Sequence, residues 1–427
     1  MAESTPHPLI AKVLAWAEKH PALVLGLLRA VKPILLKDQF ALVTRYDDVQ
    51  DVMLRDEFFN VTYQARMENV TGGQNFFLGM QDTPQYTRDA SIMRLAMRRD
   101  EVATRVTGFV AREAERIMVA APGKIDVVAE LGKLVPTLWV GDYFGTPGWD
   151  KAQFAEAASR MFAYLFFPPD ADADKIALES AKTTCVYLDQ TIATRKAARA
   201  QRLAGTNAAP GSDDVSGALD AYAAPDDLIE RLLAMQESGM PGTTDLDIRN
   251  NLIGMIIGAI PTTSKCTVLC LDYLLSHPDL LAGAQAAARA DDDALVYQYV
   301  LESIRLNPFG PGLFRRCAKD YVLGAGGWRS TRIPAGTTVF VCLQSAMLDG
   351  RKIESPNEFR LARPSDNYMH WGYGMHTCSG QYVNAVQIPQ VVKAVLKRKN
   401  LRRASGSAGQ IQMGGVFPAH WTLEFDA

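Results

Sequence analysis

The chain has 427 residues, 48% of them hydrophobic, and a formal net charge of −2. That apolar share supplies a sizeable core, and the near-neutral balance excludes the basic surplus of a nucleic-acid-binding protein. Six cysteines, Cys185, Cys266, Cys270, Cys317, Cys342 and Cys378, show no framework spacing, which reads as a reduced, cytoplasmic chain.

In chain order, the first candidate element is the apolar stretch Pro21 to Val31. Glu18, Lys19 and His20 precede it, Arg29 interrupts it, and Lys32 and Pro33 follow. It is shorter than the roughly 20 apolar residues that span a bilayer. A docked amphipathic helix is expected, with a membrane-facing helix as the alternative. Phe40 to Tyr46 reads as a strand, and a helix starts at Asp47. Val70 to Met80 holds Gly72, Gly73, Phe76, Phe77 and Met80, a flexible segment suited to cover an apolar cavity. Asp82-Thr83-Pro84 opens a helix through Arg88, Arg94, Arg98 and Arg99. Residues 196–226, rich in Ala, Gly, Ser and Asp, read as a mobile linker between helices.

Thr244 and Asp247 form a capping box for a long helix. Its apolar part, Leu252 to Leu275, is expected to be buried on most sides. Lys265 and Asp272 within it argue against a transmembrane segment. Cys266 and Cys270 lack nearby Cys or His partners and read as core. After Arg305 come Pro308, Gly310, Pro311 and Gly312, then a β-rich region with turns at Gly324 to Gly327 and Pro334-Ala335-Gly336.

Cys378 lies in Trp371-Gly372-Tyr373-Gly374-Met375-His376-Thr377-Cys378-Ser379-Gly380, just before an apolar helical pattern. Glycines at this spacing let a loop turn tightly and bring its backbone against a flat object. Amides and the positive end of a helix would hold the sulfur as a thiolate, suited to one axial bond to haem iron. Upstream, Glu302 and Arg305 are three residues apart and share a helix face.

The Cys378 segment resembles the haem-binding loop of the cytochrome P450 superfamily, F-G-x-G-x-H/R-x-C-x-G, with Trp371 in place of the phenylalanine. Glu302-Ser303-Ile304-Arg305 is similar to the family's E-x-x-R, and Arg363 to the third member of that cluster. The resemblance implies a mainly α fold with a small β region and one domain spanning 1–427. An N-terminal β-containing part falls at about 35–75, a helical core at about 82–310, and a β-rich and Cys-loop region at about 311–427. It implies haem b between the long central helix and the Cys-loop helix, with Cys378 as the axial ligand. His376 and Arg316 are implied for the two propionates. The indole of Trp371 is expected to pack on the Cys378 sulfur. The family's H-x-x-x-R falls on Tyr86 and Ala90, so Arg94, one turn later, is the candidate substitute.

The family's A/G-G-x-D/E-T-T maps to Gly258-Ala259-Ile260-Pro261-Thr262-Thr263. The alcohol is kept at Thr262, but Pro261 replaces the acid that helps deliver protons for dioxygen activation. Proline lacks an N–H and presses on the carbonyl of Ile257, so a kink is expected. Two readings follow. One is a reductant-driven monooxygenase with a ferredoxin or flavodoxin-type donor. The other is a peroxygenase or fatty-acid hydroperoxide isomerase; the run Gly72 to Arg88 loosely resembles the haem-thiolate part of fungal fatty-acid oxygenases. A haem-binding or sensor protein without turnover is a third class. Phe76, Phe77, Met80, Ile257, Leu313, Phe314 and Phe417, with Val416 beside it, are the expected cavity lining. All are apolar, which suits a fatty-acyl or terpenoid substrate.

Overall fold

The computed structural model describes residues 21–206 and 225–426. Its contacts divide the chain into two compact units, one of residues 1–62 and 301–378, the other of residues 63–300 and 379–427. Glu18, Lys19 and His20, and most of the linker read at 196–226, lie outside the described residues.

The first unit is built on a five-stranded sheet in the order Ile34–Lys37, Phe40–Val43, Thr338–Val341, Leu313–Cys317, Phe59–Val61. All neighbours are antiparallel except Phe40–Val43 and Thr338–Val341, which run parallel with Val43 opposite Val341. Period-2 alternation buries Ala41, Val43, Val339, Val341 and Cys317. These side chains meet Val49, Val52 and Met53 of helix Tyr46–Leu54 in one core. The strand expected from Phe40 to Tyr46 ends at Val43. Tyr46 already belongs to the helix, and its amide donates to Asp349 Oδ2 at 3.1 Å. The turns at Gly324, Gly326 and Gly336 all have positive φ.

Arg29 of helix Pro21–Val31 donates to the carbonyl and hydroxyl of Ser345 at 2.9 and 2.8 Å. Val24, Leu25 and Leu28 are half-buried, as a docked helix requires, while Leu23, Leu27 and Val31 are exposed.

The second unit is helical, with the three-stranded sheet Lys124–Asp126, Thr422–Glu424, Arg402–Arg403 and the hairpin Gln412–Gly414 with Phe417–His420. Thr83 caps the helix Pro84–Ala96, with proline at its first position. Helix Gln64–Thr71 stops at Gly72, and Phe77–Gly79 forms a short 3₁₀ turn. Phe76, Phe77 and Met80 are buried, so this segment is packed and not a loose cover. Helix Ala171–Thr206 runs through the first part of the expected linker. Alanine, arginine, lysine and glutamine favour helix more than the composition-based reading allowed.

The central helix spans Asp245–Leu275 and opens on the Thr244–Asp247 capping box. It continues across Pro261 without a break, so the expected kink does not interrupt it. By length and composition it could cross a membrane, but 72% of its most apolar window is buried within the protein.

Candidate active site

The Cys loop belongs to the first unit. Gly372 and Gly374 have φ of 76° and 74°. A Cβ at Gly374 would collide with the Met53 carbonyl, so only glycine fits there. The loop is closed by its own backbone. Gly372 N donates to Met369 O at 3.1 Å, Thr377 N to Gly374 O at 3.2 Å, and Cys378 N to Trp371 O at 2.8 Å. Trp371 thus meets Cys378 through its carbonyl, while its indole stands edge-on to the His370 ring at 6.3 Å. Cys266, Cys270, Cys317 and Cys342 are buried; Cys378 is half-buried, as is Cys185. Burial pushes the Cys185 and Cys317 thiols up, and Cys342 to about 11, so these three favour the inert protonated form. His376 Nδ1 pairs with Asp56 Oδ1 at 2.9 Å, a partner the sequence did not suggest. That bond fixes the orientation of the imidazole.

Upstream of the loop, Glu302 and Arg305 are fully buried. Arg305 Nε and Nη2 donate to Glu302 Oε1 and Oε2 at 2.7 and 2.9 Å, and Arg363 Nε donates to Oε2 at 3.1 Å. The remaining guanidinium N–H groups reach backbone carbonyls of Met347, Pro356, Glu358, Glu354 and Ser355. One carboxylate therefore ties a helix to two stretches of loop by charge-assisted bonds. Burial alone would raise the Glu302 carboxyl. The bonds from Arg305, the Arg360 amide and Arg363 outweigh it and hold the group below the ordinary range. Two neighbours were missed in the sequence. Burial and the Glu302 charge push the Tyr368 phenol up. Burial drives the His370 imidazole down to about 4, against its bond to the Leu301 carbonyl at 3.1 Å.

On strand Leu313–Cys317 the two arginines point to opposite faces. Arg315 is buried and Arg316 is exposed, bonded to Thr338 Oγ1 at 3.1 Å. Arg316 is therefore replaced by Arg315 as the inward-facing cation. Phe314 is also on the exposed face, ring to ring with Phe340 at 4.9 Å, and Leu313 is half-buried against the core.

In the second unit, the central helix is buried at every position from Asn250 to Leu271 except Gly258, Ala259, Thr262, Lys265 and Leu269. These positions recur with helical period on one face. A Cβ at Gly258 would meet no atom within 4 Å. The Thr262 hydroxyl donates to the Gly258 carbonyl, and Pro261 leaves the Ile257 carbonyl without its usual i+4 donor. Ile257 itself is buried. The Phe76 ring presses on Gly254 and meets Phe77 at 4.5 Å. Phe417 is buried against Phe162 at 5.5 Å. Arg94 is exposed, whereas Tyr86, Ala90 and Met93 on the same helix are buried; the structure sets Arg94 apart from the two family positions.

No group of three or more His, Cys, Asp or Glu able to hold a metal ion occurs among the described residues. A single half-buried thiol in a tight loop and a buried helix with one open, small-residue face each suit a flat macrocycle that brings its own four iron ligands. A family model described as cytochrome P450 matches residues 31–413. The chain belongs to the cytochrome P450 family. That family is one of haem-thiolate oxidoreductases whose cofactor is haem b.

Among curated relatives, the chain is 24% identical over 425 residues to a bifunctional dioxygenase–epoxy alcohol synthase of Pyricularia oryzae, covering 89% of this chain and 36% of that one. It is 24% identical over 367 residues to the mycinamicin VIII C21 methyl hydroxylase of Micromonospora griseorubida, covering 84% and 82%. The chain spans about a third of the length of the fungal relatives it matches. Among solved structures, P450BioI in complex with an acyl carrier protein ligated to hexadec-9Z-enoic acid superimposes with a TM-score of 0.75 at 18% identity, covering 96% of this chain and 100% of that one. A mutant of P450 EryK with erythromycin B gives 0.74 at 19%, covering 96% and 97%. These likenesses share the fold, mainly helical with small sheets.

Proposed function

We propose that this cytochrome P450, one domain over its full length, oxygenates an apolar or amphipathic molecule of the fatty-acyl or terpenoid class in the cytoplasm. Bound haem would supply the oxidising chemistry, and the Cys378 thiolate would hold it. His376, oriented by Asp56, and Arg315 are assigned to the propionates. The observation that carries the reading is the open face of an otherwise buried helix, which presents Thr262 among Gly258, Ala259 and Leu269. An acyl chain fits such an apolar face, and the names of the fungal relatives, which include a linoleate diol synthase, favour a lipid. A reduced ferredoxin or flavodoxin-type protein is the electron donor in the monooxygenase reading.

The Thr262 bond favours a second reading. Its hydroxyl hydrogen is committed to the Gly258 carbonyl, so in this rotamer Oγ1 accepts and does not donate. Pro261 provides no carboxylate to resupply a proton. An oxidant that carries its own O–H, hydrogen peroxide or a lipid hydroperoxide, matches that arrangement, as a peroxygenase or hydroperoxide isomerase would use it. The test compares turnover of one fatty acid with a surrogate ferredoxin system and with hydrogen peroxide. Peroxide should support the wild type well, and Pro261→Asp or Pro261→Glu should shift the ratio toward the reductant by about a hundredfold, the lower end of what a positioned acid contributes. A wild type fast with reductant, inert to peroxide and unimproved by either acid rejects the second reading. Substrate binding without product under either oxidant rejects enzymatic function and leaves the sensor class.

A further inference from the structure

Lys265 shares the open face of the central helix with Gly258 and Thr262. It lies three residues beyond Thr262, about 4.5 Å along the helix axis at the standard rise. Its Nζ donates to the Val416 carbonyl at 3.2 Å and sits 5.7 Å from the centre of the Phe417 ring. Phe417 meets Phe162 edge-on at 5.5 Å, Phe162 meets Phe166 at 4.5 Å, and Phe166 meets Tyr63 at 4.7 Å. The ammonium thus stands at the end of a continuous aromatic wall, all within the second unit. A lysine usually carries its head to bulk water. Here the head is held back at the wall by a backbone carbonyl and a ring face. Burial lowers the Lys265 pKa accordingly, since desolvation penalises the cation.

We infer that Lys265 anchors the carboxylate of the substrate, with the hydrocarbon chain laid along the half-buried Phe162 and Phe166. This rests on the fatty-acyl reading above and deepens it: the substrate is a free acid. A carboxylate forms a charge-assisted bond to a cation that a carbonyl and an aromatic ring satisfy less well. The apolar wall accepts the chain, whereas an ester of the same acid brings the chain without the charge.

The haem-loaded protein is titrated with dodecanoic acid and with methyl dodecanoate, reading the haem spin-state change and, separately, calorimetric heat. Wild type, Lys265→Met and Lys265→Arg are compared, each first checked for an intact carbon monoxide spectrum. The acid should bind wild type about ten times more tightly than the ester, in line with a bond to a charged group. Lys265→Met should remove that preference by weakening the acid alone, and Lys265→Arg should keep it. An acid preference that survives in Lys265→Met places the anchor elsewhere and overturns the inference while leaving the fatty-acyl reading intact. Failure of both ligands to bind any of the three proteins overturns the fatty-acyl reading and the inference with it.

Discussion

The segment from Glu302 to Cys378 and the central helix Asp245–Leu275 treat polar groups in opposite ways. In the first, a fully buried carboxylate takes bonds from two guanidinium groups and an amide, and further guanidinium N–H groups end on backbone carbonyls. In the second, a proline removes a helical donor, a threonine bonds back to its own turn, and a lysine head is held at an aromatic wall. Dense pairing of buried polar groups marks a region built to hold a shape. Local rules broken on one open face mark the region proposed above as the site of the chemistry, since real proteins break such rules mainly at functional or strained sites.

The comparison breaks most sharply at Cys378. Cys378→Ser should abolish the strongly red-shifted carbon monoxide band of the reduced protein entirely; a variant that keeps the band removes the thiolate assignment. Next is Glu302→Ala, which leaves two buried guanidinium groups without their shared carboxylate. Removing one partner of a buried ion pair is expected to cost about 3–5 kcal/mol. The unfolding midpoint in urea should fall far more than for Asp272→Ala, whose bond to Arg403 at 2.8 Å is partly exposed. Equal losses would show that the Glu302 cluster is no special lock.

A smaller effect sharpens the same contrast through pH. The unfolded chain protonates His370 near its ordinary pKa of 6.5, while burial keeps the folded imidazole neutral down to about 4. Between those values the unfolded state binds more protons, so stability falls as pH drops from 6.5 to 4, by on the order of 3 kcal/mol. Glu302 adds its own loss in the same direction, but only below its ordinary value of 4.5. His370→Gln should therefore flatten the stability profile between pH 6.5 and 4.5 and leave the acid limb. A profile unchanged in that window would mean that His370 takes up its proton in the folded state as well.

What could be read in advance was local and contiguous. The Cys loop, the Glu302–Arg305 pair and the Thr244–Asp247 box each follow from residues a few places apart, where spacing alone sets geometry. What escaped depended on distant partners or on a face. Asp56 lies 320 residues from His376, and no sequence pattern joins them. Arg315 and Arg316 are adjacent, and the period-2 rule anchored on buried Cys317 would have chosen Arg315. Lys265 was weighed as a charge that argues against a membrane span, although its spacing from Thr262 already put both on one face. The expected linker failed from 196 to 206 because its composition was read for small residues and not for helix formers.

Gly254 carries a consequence for how this protein can change over generations. Any side chain there would run into the ring of Phe76, so the two positions are not free to vary one at a time. A larger residue at 254 is tolerated only after 76 has become smaller, whereas a smaller residue at 76 opens room that Gly254 leaves unfilled. The mutational route to a different packing at this contact therefore passes through residue 76 first, and the order of the two substitutions, not their identity alone, decides which variants survive.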